Sequence, residues 1–165
     1  PVLSVAARHA DAKRLAQLLE ASQRDATPQG QRRFRLACAD VRDSTLAQQV
    51  FDACLTPRIP TQDVAFVIAR MLRNPHIREL TFELMQAHFR ALRERIPAML
   101  MSRLIEATPA LGSENHRRQL QRFFRSHPLP TAARALRQAD ERFRLDAAFR
   151  KRATPELRAF LRTLG

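Results

Sequence analysis

Residues 61–92, TQDVAFVIARMLRNPHIRELTFELMQAHFRAL, decide the fold. Val64, Val67, Ile68, Met71 and Leu72 fall at i, i+3, i+4, i+7 and i+8, one apolar stripe at the helical period. Asn74-Pro75 ends that helix, because proline disfavours helical geometry in the residue before it. The same dipeptide predicts the start of a second helix, with Asn74 as N-cap and Pro75 at the first helical position, where no backbone N–H is required. Ile77, Leu80, Leu84, Met85, His88, Phe89 and Leu92 share one face of that helix, which places His88 in the core or in a groove. Two helices joined without a flexible linker pack as an antiparallel hairpin, the building unit of an α-solenoid.

Outward from this pair the same signals recur. Val2 to about His9 reads as the end of a helix, and Asp11 caps a second with Leu15, Leu18 and Leu19 inward. Thr27-Pro28 opens a third, carrying Phe34, Ala37, Cys38 and Val41, and Asp43 caps a fourth, carrying Ala47, Val50, Phe51 and Cys54. Pro57 and Pro60 bracket a short connection to Thr61. After Pro97 a short helix carries Leu100, Met101, Leu104 and Ile105 and ends near Pro109. Gly112 suits a turn and Ser113 a cap, with Leu120, Phe123 and Phe124 on the inner face of the helix that follows. His127 to Pro130 is a break, and Thr131 is the expected cap of a long helix with Leu136, Ala139, Phe143 and Ala147 inward. Thr154-Pro155-Glu156 predicts one more start, with Leu157, Phe160, Leu161 and Leu164 as the face of a last helix. The reading is all-α: an α-solenoid of about ten short helices in HEAT/armadillo-like hairpins, each helix pairing with its sequence neighbours. A compact helical bundle is the second choice.

Composition agrees. Three glycines and no Tyr or Trp argue against strand-and-turn architectures, while abundant Ala, Leu, Arg and Gln favour helix. A chain of 165 residues makes one domain. The net charge is +13, and Lys13 and Lys151 are the only lysines among 29 basic residues. Such arginine excess is what a GC-rich bacterial genome produces, and it attracts polyanions whatever the protein does. Local clusters at Arg32, Arg33 and Arg35, at Arg117, Arg118, Arg122 and Arg125, and at Arg150-Lys151-Arg152 are expected on solvated outer faces. They lack stacking aromatics and a helix-turn-helix pattern, so no specific nucleic-acid partner is expected. Cys38 and Cys54 lie in apolar stripes and read as buried small hydrophobes. No apolar run is long enough to span a membrane. The chain opens on Pro-Val-Leu inside an apolar stretch and reads as a fragment of a longer polypeptide, with its compartment open and a cytoplasmic one favoured.

Chemistry-bearing motifs are few. His9, His76, His88, His116 and His127 include no pair four apart, so the His-Glu-x-x-His zinc signature is absent. His76 and Glu79 stand at i, i+3, but no second such pair completes a metal site. Gly30, Gly112 and Gly165 are isolated, so no glycine-rich loop cradles phosphate. Neither cysteine has the context of an activated nucleophile. No catalytic, metal or cofactor residue is assigned.

Thr61-Gln62-Asp63, Arg73-Asn74-Pro75, Arg78-Glu79-Leu80-Thr81-Phe82 and His88-Phe89, in this order and spacing, resemble a known domain. It is the C-terminal helical-repeat (HEAT-like) domain of the puromycin-sensitive and endoplasmic-reticulum type zinc aminopeptidases. The resemblance continues through Ser102-Arg103-Leu104, Phe123-Phe124 and the helix near Ala133–Phe149. Family members usually have tryptophan where Phe82 and Phe89 stand, and asparagine where His88 stands. The resemblance implies one helical-repeat domain over residues 1–165, the C-terminal part of a larger aminopeptidase. It implies a non-catalytic role: capping the active-site cavity and helping to hold the peptide substrate. The catalytic domain of the same polypeptide and the peptide would be the partners. No cofactor is expected in this chain, zinc residing in the parent enzyme's catalytic domain. Arg42, between two helices, and Arg70 and Arg73, at the end of the central helix, are singled out by position as peptide-binding residues. The rival reading is a free-standing helical-repeat scaffold that binds an acidic protein or nucleic acid.

Overall fold

The computed structural model describes residues 2–164. These form α1 (Val2–Arg8), α2 (Ala12–Arg24), α3 (Pro28–Cys38), α4 (Ser44–Cys54) and α5 (Thr61–Arg73). There follow α6 (Arg78–Ala87), α7 (Phe89–Arg95), α8 (Met101–Ala107), α9 (Glu114–Ser126) and α10 (Ala133–Arg162). Short 3₁₀ turns fill Ala98–Leu100, Thr108–Leu111 and Pro130–Ala132, and no strand occurs among the described residues.

Local chemistry sets four of the starts. Asp11, Thr27, Asp43 and Ser113 each accept, through a side-chain oxygen, the backbone N–H three residues on, at 2.7, 3.0, 2.9 and 3.1 Å. Each satisfies one of the donors that a helix start leaves unpaired. Gly112 takes φ +73° to close the 3₁₀ turn before α9, a left-handed geometry that glycine adopts without strain.

Other starts differ from the sequence expectation. Asn74 ends α5 in extended geometry, and its side chain donates to the Ala39 and Val41 carbonyls at 3.1 and 2.7 Å. Its amide oxygen accepts the His76 N–H, so it closes a turn, and α6 begins at Arg78 rather than at Pro75. The expected second helix is broken at His88, which is exposed rather than in the core and touches Phe51 ring to ring at 5.8 Å. Thr131 makes no cap; it sits inside the 3₁₀ turn before α10. Thr154-Pro155-Glu156 starts no helix either, because α10 runs through it unbroken. Pro155 removes one hydrogen bond, to the Lys151 carbonyl, but that stretch is exposed and the carbonyl is open to solvent.

Packing advances along the chain in layers. α2 lies against α3, α1 and α5 against α3, α4 against α5 and α6, α8 against α5, and α10 against α8 and α9. The result is an all-helical stack of successive layers. Pairing is not confined to sequence neighbours: α5 meets α8 more extensively than it meets α6. The reason lies in the small residues. Ala65 and Ala69 are buried beside the expected Val64, Val67, Ile68, Met71 and Leu72, so α5 is covered on more than one face. Phe82 and Phe89 are buried as core anchors, and Phe89 meets Phe123 and Phe124 edge-to-face at 5.0 and 5.6 Å. Cys38 and Cys54 are buried free thiols, and desolvation pushes both well above the usual thiol range.

Several arginines work inside this stack rather than on its outer face. Arg35 is buried, bonded to Asp63 at 2.8 Å and to the Ser22 carbonyl at 3.0 Å, while Arg32 adds a 3.2 Å contact to Asp63. Arg78 donates to the Ala110 carbonyl at 2.7 Å, and Arg150 to that of Gly112 at 2.9 Å. Arg95 donates to the carbonyls of Cys54 and Ile59 at 2.9 and 2.6 Å. Carbonyls left unpaired at helix ends are thereby satisfied by neighbouring layers. For Arg35 and Arg117 the expectation of solvated faces is corrected, whereas Arg150 is exposed as expected while its guanidinium reaches Gly112.

Candidate functional site

The last turns of α1 and α5 and the Ala39–Asp43 connection between α3 and α4 meet around one cleft of about 360 Å³. Arg42 enters it from the connection, and Arg70 and Arg73 enter it from α5. Arg8, at the end of α1, and Asp40 join them. Asn74, Pro75 and His76 form the remaining wall. The three arginines chosen by position are therefore brought together, whereas Arg8 and Asp40 carry no sequence signal that links them to α5. Cations at helix C-termini are favoured by the negative end of the helix dipole, which lets arginines crowd here.

The four guanidinium groups are not equivalent. Arg70 is locked: Nε donates to Asp40 Oδ1 at 2.9 Å, and Nη2 donates to Asp40 Oδ2 at 2.6 Å and to Ser4 Oγ at 3.1 Å. The bond to Asp40 raises the Arg70 pKa above its ordinary value, so the group stays charged. Asp40 is 12% exposed and fully engaged by this fork. Arg8, Arg42 and Arg73 are exposed and form no ion pair among the described residues. Asn74 ties the wall to the α3–α4 connection through its bonds to Ala39 and Val41, so the backbone that carries Arg42 is anchored to the end of α5. The result is a small polar recess with a fixed Arg70–Asp40 base and three uncompensated cations, suited to an anion.

A larger groove, about 490 Å³, runs between α9 and α10 over Leu120, Phe124 and Leu136. Its central acid, Asp140, is shared by Arg117, Gln121 and Arg144, which makes the rim a structural network. Glu114 extends it: Arg117 first, and Arg118 with it, hold this carboxylate down to about 2. His76 and Glu79 gain no further ligand, and among the described residues no three His, Cys, Asp or Glu side chains gather as a metal site would require. Among the described residues no helix is long and apolar enough to cross a membrane.

The helical stack, the paired-aromatic core and the order of motifs along it agree with one comparison. The family model described as the ERAP1-like C-terminal domain matches residues 1–145, stopping partway along α10. The chain belongs to this family, a domain type that forms part of aminopeptidases.

Proposed function

We propose that this chain is the non-catalytic C-terminal portion of a zinc aminopeptidase, capping the active-site cavity and holding the far end of the peptide substrate. The supporting observation is the cleft at the ends of α1 and α5, where Arg42, Arg70 and Arg73 converge with Arg8 against a single acid. Arg42 and Arg73 would donate to the peptide's terminal carboxylate, and Arg70, fixed by Asp40, would orient them and supply background charge. Among the described residues no three His, Cys, Asp or Glu side chains gather as a zinc site requires, which supports placing the metal and the hydrolytic step in a catalytic domain outside this chain. The rival scaffold reading is weakened by how many arginines serve internal packing, Arg35, Arg78 and Arg95 among them. Fluorescence anisotropy with labelled peptides tests the proposal. A free C-terminal carboxylate is expected to bind about tenfold more tightly than its amide, the scale of one charge-assisted hydrogen bond. Arg42→Ala together with Arg73→Ala should abolish that preference, and equal binding of acid and amide would refute the assignment.

A further inference from the structure

We infer that the cleft at the ends of α1 and α5 selects peptides whose last residue is itself acidic, Asp or Glu, over peptides with a neutral or apolar end. The inference rests on the reading above, that this cleft takes the peptide's carboxyl terminus, and adds a specificity to it.

The argument is one of charge and lining. Arg70 is neutralised by the two-bond fork with Asp40 and has a third partner in Ser4, so it has little left to offer a ligand. Arg8, Arg42 and Arg73 remain, each exposed and none within 4.0 Å of an acid among the described residues. A neutral-ended peptide brings one carboxylate, which accepts one guanidinium fork fully and neutralises one of three charges. The other two stay crowded in a recess of about 360 Å³. The negative ends of α1 and α5 offset part of this repulsion, on the order of half a charge each, but cannot cancel it. A terminal Asp or Glu carries its second carboxylate on the same residue, close enough to meet a second guanidinium while the α-carboxylate holds the first.

The walls point the same way. Among the described residues no Leu, Ile, Val, Met or Phe lines the cleft; an apolar terminal side chain would meet the Pro75 and His76 rings and arginine stems rather than an aliphatic pocket. Such an end therefore gains little from burial, whereas an acidic one gains charge-assisted hydrogen bonds. The recess is at the small end of ligand pockets, sized for a terminal residue rather than for a length of chain.

Four labelled decapeptides of otherwise common sequence decide the matter by anisotropy with the full chain, at about 0.1 M salt, where the screening length is about 10 Å. One ends in Glu, one in Gln, one in Gln amide, and one ends in Gln with the Glu moved five residues inward, so that its net charge equals that of the first. The Glu-ended peptide is expected to bind about tenfold more tightly than both the Gln-ended peptide and the inward isomer. Arg42→Ala and Arg73→Ala should each remove most of that ratio; both side chains are exposed, and circular dichroism checks that the fold is kept. If Gln acid exceeds Gln amide while Glu gains nothing over Gln or over the isomer, the specificity is refuted and the carboxylate reading survives. Equal binding of Gln acid and Gln amide, or no saturable binding of any peptide, removes both.

Discussion

Phe89 and Phe160 occupy sequence patterns of equal quality, yet Phe89 is 3% exposed and Phe160 58%. Phe89 begins α7 and is enclosed by Phe123 and Phe124 of α9, layers that return from farther along the chain. Phe160 lies on the distal half of α10 with Phe149, Leu157 and Leu161, all on exposed helix surface in the described chain. The last buried side chain of α10 is Phe143, and the family match ends at residue 145, so burial and family pattern stop together. Hydrophobic periodicity thus specifies a face, and burial requires a second element at the right distance.

Stability measurements can break this contrast. Phe89→Ala should cost about 3–5 kcal/mol in chemical denaturation, the cost of emptying a closed aromatic site. A loss below about 1 kcal/mol would show that the site is not closed. Next in size is the buried Arg35–Asp63 pair. Asp63→Ala strands a guanidinium whose Nε already lacks a partner, for a loss of about 3 kcal/mol. A double replacement, Arg35→Met with Asp63→Leu, should recover much of that loss; failure to recover would mean that Arg35's bond to the Ser22 carbonyl matters more than the pair.

A smaller effect concerns the joint that holds the proximal half of α10. Glu114 pairs with Arg117, which also binds Asp140 of α10. Its carboxyl lies near 2 in the folded chain against an ordinary 4.5. A depressed folded value means that its contribution is present above about 4.5 and is lost as pH falls towards about 2. The melting temperature of Glu114→Gln should therefore lie below that of the parent at pH 6 and converge with it near pH 2. A gap that is unchanged by pH would remove Glu114 from this joint. The smallest change is expected on the distal face, where Phe160→Ala should stay within about 0.5 kcal/mol. A cost near that of Phe89→Ala would mean that this face is covered in solution.

The cleft sharpens the same lesson. Arg42, Arg70 and Arg73 could be chosen from their places at a helix end and in a connection, and they do meet. Arg8 could not, because it stands 62 positions before Arg70 and no local pattern links α1 to α5. Nor could Asp40 be recognised as the acid that immobilises one arginine and leaves three without a partner. Thr154-Pro155-Glu156 shows the opposite failure. A valid start signal was overridden because α10 could continue into solvent at the cost of one hydrogen bond.

What the sequence by itself determined was the all-helical class, the caps at Asp11, Thr27, Asp43 and Ser113, the stripe of α5 and the place of Phe89 on an apolar face. These are written within three or four residues, by capping bonds that reach from i to i+3 and by a period of 3.6. Only the tertiary structure decided that α5 lies against α8, that Arg78 and Arg95 satisfy carbonyls of other layers, and that the distal face of α10 is exposed. Such pairings join groups 30 or more residues apart, as Arg78 and Ala110 are, and no short-range pattern carries the distance between them.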